Sequence, residues 1–399
     1  MAHVVPLSGS HEPTPSGFDP IDALVADLRA GRMVVVVDDE DRENEGDLIL
    51  AGERATPEAV AFMIRHTSGI ICVAMEAERL AALDLPQMVQ VNSESHRTAF
   101  TVSVDLRLGT TTGVSSSDRA ATIRALAQQS SQAQDFARPG HIFPLRSRKG
   151  GVLVRAGHTE ASVDLCRLAG LQPAGVLCEV MNDDGTMARR PQLEAFAERH
   201  GLKIGTIADL IRYRLRNERT VERLCEHTVQ TELGEFRLHA YEDRMTQEVH
   251  LALVRGRLEG PETPLVRVHL PETLRDLLGV RLAPRSWSLR SALRRIAEAN
   301  NGVVVILCAR ESPHDLLEAV RALAPLPPAS AAASRASQAE GVVQPRPEGA
   351  VLRTFGVGAQ ILKDLGVRRM RVLSTPKQLH GISAFDLEVE GYIGEEGER

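Results

Sequence analysis

Cysteine is scarce in this 399-residue chain. There are five, Cys72, Cys166, Cys178, Cys225 and Cys308, far apart and mostly inside apolar stretches. None forms a CxxC pair. That disfavours a disulfide scaffold and a cysteine-rich zinc site, and makes a reduced, cytoplasmic protein the default. No apolar run approaches the roughly 18 residues that span a bilayer, so no membrane partner is expected. Residues 1–20 are polar and lack the apolar stretch of a secretory signal. A basic surplus is also missing: 47 Lys and Arg against 53 Asp and Glu give a net charge of −6. A mildly acidic chain has no general reason to bind nucleic acid. There is no internal repeat. What remains is 43% hydrophobic and 25% charged, an ordinary globular balance in a length that suggests two domains.

Residues 1–18 read as a flexible leader. Asp19-Pro20 predicts a helix start, a capping residue followed by proline at the first helical position. Ile21, Leu24, Val25 and Leu28 then share one face, and Gly31 ends it. The apolar run 33–37 reads as a buried strand. Thr56-Pro57 opens a second helix with Val60, Met63 and Ile64 on one side. Residues 70–75 and the alternating 100–106 read as strands. Further on, 151–154 and 175–180 read as strands, Thr159 as a helix cap and 182–185 as a turn. Thr206 caps a helix bearing Ile207, Leu210, Ile211 and Leu215. This mixture suggests an α+β or α/β domain.

A charged joint, 216–227, precedes a second set of elements. Residues 228–240 alternate like strands, and 303–307 is another buried strand. Residues 325–350, rich in Pro, Ala and Ser, read as a flexible insertion. Order is expected to resume at Leu352 and run to about Gly391, before an acidic tail.

Three places carry chemistry. Residues 38–47, DDEDRENEGD, pack seven carboxylates and one arginine between two apolar runs. Such a run is unfavourable unless something offsets it. It is either a solvated loop or a metal site, and hard oxygen ligands on a short loop suit Mg²⁺ or Mn²⁺. Arg155-Ala156-Gly157-His158-Thr159-Glu160 stands between a strand and a helix. Helix-start N–H groups with an arginine and a hydroxyl make a phosphate cradle, and His158 is placed to ligate a metal. Read plainly, it is a helix cap with a stray histidine. Arg138-Pro139-Gly140-His141 puts a second histidine on a tight turn, and Glu179 ends an apolar strand where an unpaired carboxylate is costly. A buried carboxylate beside a metal or histidine is a general acid/base candidate. Cys72 ends its strand run and could face the same site, whereas the other cysteines read as packing residues.

VVVVDDEDRENEGDLILAGE, IRHTSGIICVAM, TAFTVSVD, GTTTGVSSSDRAATIRAL, RPGHIFPL, GGVLVRAGHTEASVDLCRLAG and GVLCEVMNDDGTMAR together resemble 3,4-dihydroxy-2-butanone 4-phosphate synthase. The resemblance covers residues 19–217. It implies an α+β sandwich rather than a Rossmann sheet, and a homodimer with sites near the subunit interface. The implied reaction turns ribulose 5-phosphate into 3,4-dihydroxy-2-butanone 4-phosphate and formate with Mg²⁺ or Mn²⁺. By motif, Glu43 and His158 would hold the metal. Arg42, Asp47, Arg155, Ala156, Gly157 and Thr159 would hold the sugar phosphate, with Glu43, His158 and Glu179 also touching it. His141 and Glu179 would be the acid/base pair.

TELGEFRLHAYED, HLALVRG, PLVRVH and FGVGAQILKDLGVRRMRVLSTPKQLHGISAFDLEVEGY resemble GTP cyclohydrolase II over residues 228–393. That family's three zinc-binding cysteines are missing: LPETLRDLLGVRLAPRSW follows Val268-His269. Zinc needs three protein ligands and an open position, so none is expected. Ala309-Arg310-Glu311-Ser312-Pro313 replaces the nucleotide-contacting EGRGIG, and Val351 the proposed acid, while Arg353 remains. The second half is therefore expected to keep the fold without the activity, as a regulatory, dimerising or inert domain. Retained cyclohydrolase activity and a non-catalytic binding protein are the alternatives.

Overall fold

The computed structural model describes residues 17–40, 42–280, 287–308, 311, 313–321, 323, 348–374, 387–394 and 397–398. The leader to residue 16 and residues 325–347 of the expected insertion lie outside them, whereas its last residues, 348–350, already belong to a helix that begins at Glu348, ahead of the expected Leu352. The chain forms two compact units, Met1–Ile211 and Arg212–Arg399.

The first unit contains α1 (Ile21–Arg29), β1 (Val34–Val37), β2 (Gly46–Ala51), α2 (Pro57–His66), β3 (Cys72–Met75), α3 (Ala77–Ala82) and β4 (Val104–Leu106). It continues through α4 (Ser116–Ala127), β5 (Phe136–Arg146), α5 (His158–Leu168), β6 (Ala174–Glu179), α6 (Arg190–His200) and β7 (Lys203–Thr206). α7 (Ile207–Asn217) crosses the boundary between the units. The seven strands make one mixed sheet in the order β4-β5-β3-β6-β2-β1-β7.

Strand alternation divides the apolar side chains between two faces. Val35, Val37, Leu48 and Leu50 join Val60 and Met63 of α2, Ile123 of α4 and Leu193 of α6 in one core. Their neighbours Val34, Val36 and Ile49 are also fully buried, and α5 packs against α1 and against β2, β3 and β6. Helices thus cover both faces, the sandwich the sequence implies.

Local signals place several elements well. Thr56 Oγ1 accepts from Ala59 N and Thr206 Oγ1 from Asp209 N, both N-caps. Other expectations change. Asp19 does not cap α1; its carboxylate binds Lys203 Nζ and Ile204 N of β7 instead. Residues 151–153 form a 3₁₀ turn rather than a strand. Gly150 and Gly151 have φ of 93° and 62°, and buried Asp164 accepts from Val152 N at 2.8 Å. That turn conformation cannot join a sheet ladder. Only Val104–Leu106 of the expected 100–106 strand pairs regularly, because Phe100 and Thr101 bridge separately to Leu145 and Gln87. The helix near Thr159 starts at His158 with Gly157 as its N-cap.

The second unit holds β8 (Val221–Thr231), β9 (Gly234–Asp243), β10 (Val249–Arg255), β11 (Leu265–His269), α8 (Leu289–Ala299) and β12 (Gly302–Ile306). Then come α9 (Pro313–Arg321), α10 (Glu348–Asp364), β13 (Arg369–Leu373), β14 (Glu388–Gly394) and β15 (Gly397–Glu398). They form an eight-stranded mixed sheet, β15-β14-β13-β11-β12-β10-β9-β8. Val303 and Val305 of β12 pack with Val357 and Ile361 of α10, while Val304 and Ile306 pack with Ala292 and Ile296 of α8. This unit is a three-layer α/β domain. The expected joint at 216–227 is not a loop: it ends α7 and begins β8. Gln360 Nε2 holds the α7 end by donating to Leu215 O and Glu218 O.

Candidate active site

β1 and β2 are antiparallel with Val37 opposite Gly46 and Val36 opposite Asp47. The acidic run therefore begins and ends at one sheet end. Asp38 organises it. Its Oδ1 accepts from Glu45 N at 2.8 Å, and its Oδ2 from Glu43 N at 3.1 Å and Arg42 Nη1 at 2.8 Å. Arg42 Nη1 also donates to Glu43 Oε2 at 2.8 Å, so one guanidinium neutralises two carboxylates. From the start of α6, Arg189 Nη1 donates to the carbonyls of Glu43 and Asn44. The charge run is offset, not merely solvated.

α5 brings His158, only 5% exposed, onto this loop. Its Nε2 lies 3.1 Å from Val36 O. A proton donated there leaves Nδ1 as a ligand atom, 3.7 Å from both Glu43 Oε2 and Asp47 Oδ1. Among the described residues, Asp38, Glu43 and His158 form one group whose ligand atoms all lie within 4.8 Å of one another. Asp47 Oδ1 is buried without a hydrogen-bond partner.

The electrostatics show surplus negative charge. Burial, then the charges of Glu179, Glu43 and Asp38, push Asp47 up to about 8 against the pull of His158. Burial disfavours the imidazolium of His158, yet Asp47, Glu43 and Asp38 raise it to about 9. Burial also opposes Glu43 ionisation, but His158, Arg42 and His96 hold it down at about 2. Two carboxylates, an imidazole and an orphaned buried oxygen fit a hard divalent cation.

The anion cradle lies beside it. Arg155 Nη1 pairs with Glu160 Oε2 at 2.7 Å, and Glu160, 1% exposed, also accepts from Arg148 N at 2.9 Å. Burial raises the Glu160 pKa and Arg155 opposes it. A Cβ on Gly157 would fall 2.4 Å from Arg155 Nη1 and 3.1 Å from Arg42 Nη2. Both guanidinium groups therefore flank the bare backbone at the N-terminus of α5, where N–H groups and dipole favour an anion. Ala156 lies half-buried before that N-cap, and Thr159 is buried in the first turn.

Glu179 ends β6 directly opposite Asp47. Ser68 fixes it, donating Oγ to Glu179 Oε2 and its N–H to Glu179 O, both at 2.8 Å. Cys72 is buried, with burial first and Glu179 next pushing its thiol up. It sits within electrostatic reach of the site as a protonated thiol, not a ready nucleophile.

His141 is placed differently. It lies not on a tight turn but within β5, where residues 138–141 bulge between Ala137, opposite Asp105, and Ile142, opposite Val104. Gly140 is required, because a Cβ would fall 2.0 Å from Val104 C. His141 N donates to Asp105 Oδ1 at 2.9 Å, and Nδ1 lies 2.7 Å from Asp105 Oδ2. Its hydrogen bonds are to Asp105, and none joins the Asp38–Glu43–His158 group.

Sequence reasoning gave Asp38 and Glu160 no role of their own, though both stand in the segments it singled out, and it missed Ser68 and Asp105. Asp38 had a signal as the first carboxylate after a buried strand, and Glu160 as the end of the helix-start segment.

A mixed α/β sandwich with a carboxylate–imidazole cluster beside two arginines is the arrangement of a metal-assisted enzyme with room for an anionic substrate. Residues 22–213 match the 3,4-dihydroxy-2-butanone 4-phosphate synthase family and residues 222–394 the GTP cyclohydrolase II family. The chain is 52% identical to a 3,4-dihydroxy-2-butanone 4-phosphate synthase of Pseudomonas aeruginosa, over 94% of this chain and 98% of that one. It is 45% identical to a riboflavin biosynthesis protein of Aquifex aeolicus, over 93% and 91%. A solved two-domain 3,4-dihydroxy-2-butanone 4-phosphate synthase from A. baumannii superposes with a TM-score of 0.77 at 43% identity, covering 94% of this chain and 99% of that one. The chain belongs to the 3,4-dihydroxy-2-butanone 4-phosphate synthase family, lyases of riboflavin biosynthesis, and carries a second domain of the GTP cyclohydrolase II family.

Proposed function

We propose that the first unit converts ribulose 5-phosphate into 3,4-dihydroxy-2-butanone 4-phosphate and formate with a divalent metal, Mg²⁺ or Mn²⁺. The observation that carries this is the Asp38–Glu43–His158 group beside Arg42 and Arg155. Glu43 and His158 would hold the metal, with Asp38 as a third ligand. Bound there, a divalent ion would supply Lewis-acid polarisation of substrate oxygens. Arg42 and Arg155 grip the phosphate against the bare backbone at Gly157, with Thr159 beside them. Glu179, oriented by Ser68, takes or returns a proton on the side of Asp47. His141, oriented by Asp105, is the second proton carrier.

His141 does not touch the cluster within one chain, so its part is assigned to a homodimer with sites near the subunit interface. Exposed Met88, Val89, Val91, Leu108 and Val114 of this unit offer apolar surface for pairing. Among the described residues no helix is long and apolar enough to cross a membrane. A cytoplasmic enzyme without nucleic-acid partners is the reading.

The second unit is read as catalytically silent. After β11 the chain supplies no cysteine before Trp287. Instead His269 Nε2 lies 2.8 Å from Asp276 Oδ2, and Asp276 also accepts from Glu272 N and Leu289 N. These bonds tie His269, Glu272 and Leu289 to Asp276, and the sequence between His269 and Trp287 offers no thiolate to bind zinc. Cys308 is half-buried, and its N–H donates to His250 Nδ1.

The test is formate release from ribulose 5-phosphate with Mg²⁺ by the full chain, beside Glu43→Ala and beside GTP alone. Formate from the sugar phosphate, lost in Glu43→Ala, and none from GTP supports the whole reading. Formate from GTP, with bound zinc, restores the bifunctional alternative.

A further inference from the structure

Residues 92–98 form an exposed excursion whose backbone is nonetheless fixed. Glu94 does most of this. Its carboxylate accepts from His96 N at 2.8 Å, Thr98 N at 2.7 Å and Ser95 Oγ at 2.8 Å. Asn92 closes the loop from the other side, accepting from Glu94 N at 2.9 Å and donating to Thr98 O at 2.9 Å. Despite some burial, these bonds hold Glu94 down at about 2, so the lock is charged throughout the working pH range.

The loop is tied to the candidate site by Arg155. Its Nη2 donates to His96 O at 3.2 Å and to Thr98 Oγ1 at 3.3 Å, while Nη1 stays on Glu160. The consequence is the position of the His96 ring. Nδ1 lies 3.8 Å from Glu43 Oε1, beyond hydrogen-bond distance, and the side chain is 39% exposed. Among the described residues the imidazole makes no hydrogen bond. A packing residue would be buried, and a structural ion pair would be closed. Here a hydrogen-bonded loop, tied to Arg155, holds an imidazole without a hydrogen bond of its own at ion-pair distance from Glu43.

We propose that His96 is a substrate-contacting residue, its imidazole hydrogen-bonding an oxygen of the sugar phosphate held between Glu43 and Arg155. This rests on the synthase reading of the first unit. It adds a contact from a loop that lies outside the acidic run and the α5 start. The group is a neutral-or-charged donor on a preorganised backbone, so it acts on binding of substrate rather than on the metal.

The test uses the full chain with Mg²⁺ and formate release as the rate assay, for wild type, His96→Ala, His96→Gln and Glu94→Gln. Mn²⁺ affinity without substrate is measured by electron paramagnetic resonance in parallel. His96→Ala is expected to raise KM for ribulose 5-phosphate about tenfold, the worth of one good hydrogen bond, with Mn²⁺ affinity held within about twofold. His96→Gln, which keeps a donor, recovers most of the loss. Glu94→Gln, which weakens the lock, raises KM in the same direction. A KM for His96→Ala within about twofold of wild type overturns the proposal. So does a Mn²⁺ affinity that weakens in step with KM, which would make His96 a support for Glu43. An active wild type beside an unmoved His96→Ala refutes this contact alone. A wild type that releases no formate refutes the synthase reading and takes the contact with it.

Discussion

Asp38→Asn separates two roles that the structure gives one carboxylate. The change is nearly isosteric, so packing at this 7% exposed position survives. The hydrogen bonds do not all survive. Asp38 accepts from two backbone N–H groups and one guanidinium, one N–H on Oδ1 and the other two donors on Oδ2. An amide offers one acceptor oxygen, and its NH₂ must face a donor. If the oxygen keeps two partners, one bond to a formerly charged acceptor is lost, about 1.5–3 kcal/mol. Relief of repulsion returns part of this, since Asp38 helps hold Asp47 up. A net loss of about 1–2 kcal/mol corresponds to a Tm fall of roughly 2–8 °C for a unit of this size. The metal loses a ligand as well. Loss of outer-shell partners alone costs about 10–100-fold in affinity, so a direct ligand should reach at least the upper end. The assay is Mn²⁺ titration of the full chain, with Glu43→Gln as the reference ligand variant and thermal melting without metal. Mn²⁺ affinity within about threefold of wild type, together with a lowered Tm, would show that Asp38 folds the loop but does not touch the ion.

The metal-free protein should lose stability as pH rises from about 4, through Asp47, to about 9, through His158. His158 is raised, so its contribution is full below its unfolded value of about 6.5 and is lost through about 9. Asp47 is raised too, so its contribution fades between about 4 and about 8, while Glu43, held down, loses its share only as pH falls toward about 2. Excess Mg²⁺ should flatten this slope by replacing the protons, and melting curves that fall equally with and without Mg²⁺ would contradict it. Ser68→Ala removes the 2.8 Å bond to Glu179 Oε2. Turnover should fall at least about tenfold, the worth of one hydrogen bond to a charged acceptor, with Mn²⁺ affinity unmoved. Unchanged turnover would mean that Glu179 needs no orientation from Ser68.

Where a structural cause is local, the sequence shows it. Thr56-Pro57 and Thr206 cap their helices because a hydroxyl two or three residues ahead of a free N–H has one natural partner. The stripe Ile21, Leu24, Val25 and Leu28 is buried as its spacing requires. Asp19 looked like a third cap, but β7 passes close enough for Ile204 N and Lys203 to take its carboxylate. Residues 151–153 are apolar enough for a strand, yet Asp164, on the next helix, holds them in a turn. Neither competitor is visible in the adjacent residues.

The site divides the same way. Arg42, Glu43, Asp47, Arg155, His158 and Glu179 were named from the motifs of the family resemblance, while the residues around them announce only the acidic loop, the start of α5 and the end of β6. Seven carboxylates in ten residues, however, cannot say which one turns inward. That is decided by the antiparallel register of β1 and β2, which closes the loop on Asp38 and sets Asp47 against Glu179. Asp105 lies 36 residues before His141 and meets it only because β4 pairs with a bulged β5. The sequence by itself determined the residue types, the element order and the chemistry available. Tertiary structure alone decided which charged groups lie together and how far their pKa values move, because those energies fall off over a few ångströms and depend on burial, and neither is written in spacing along the chain.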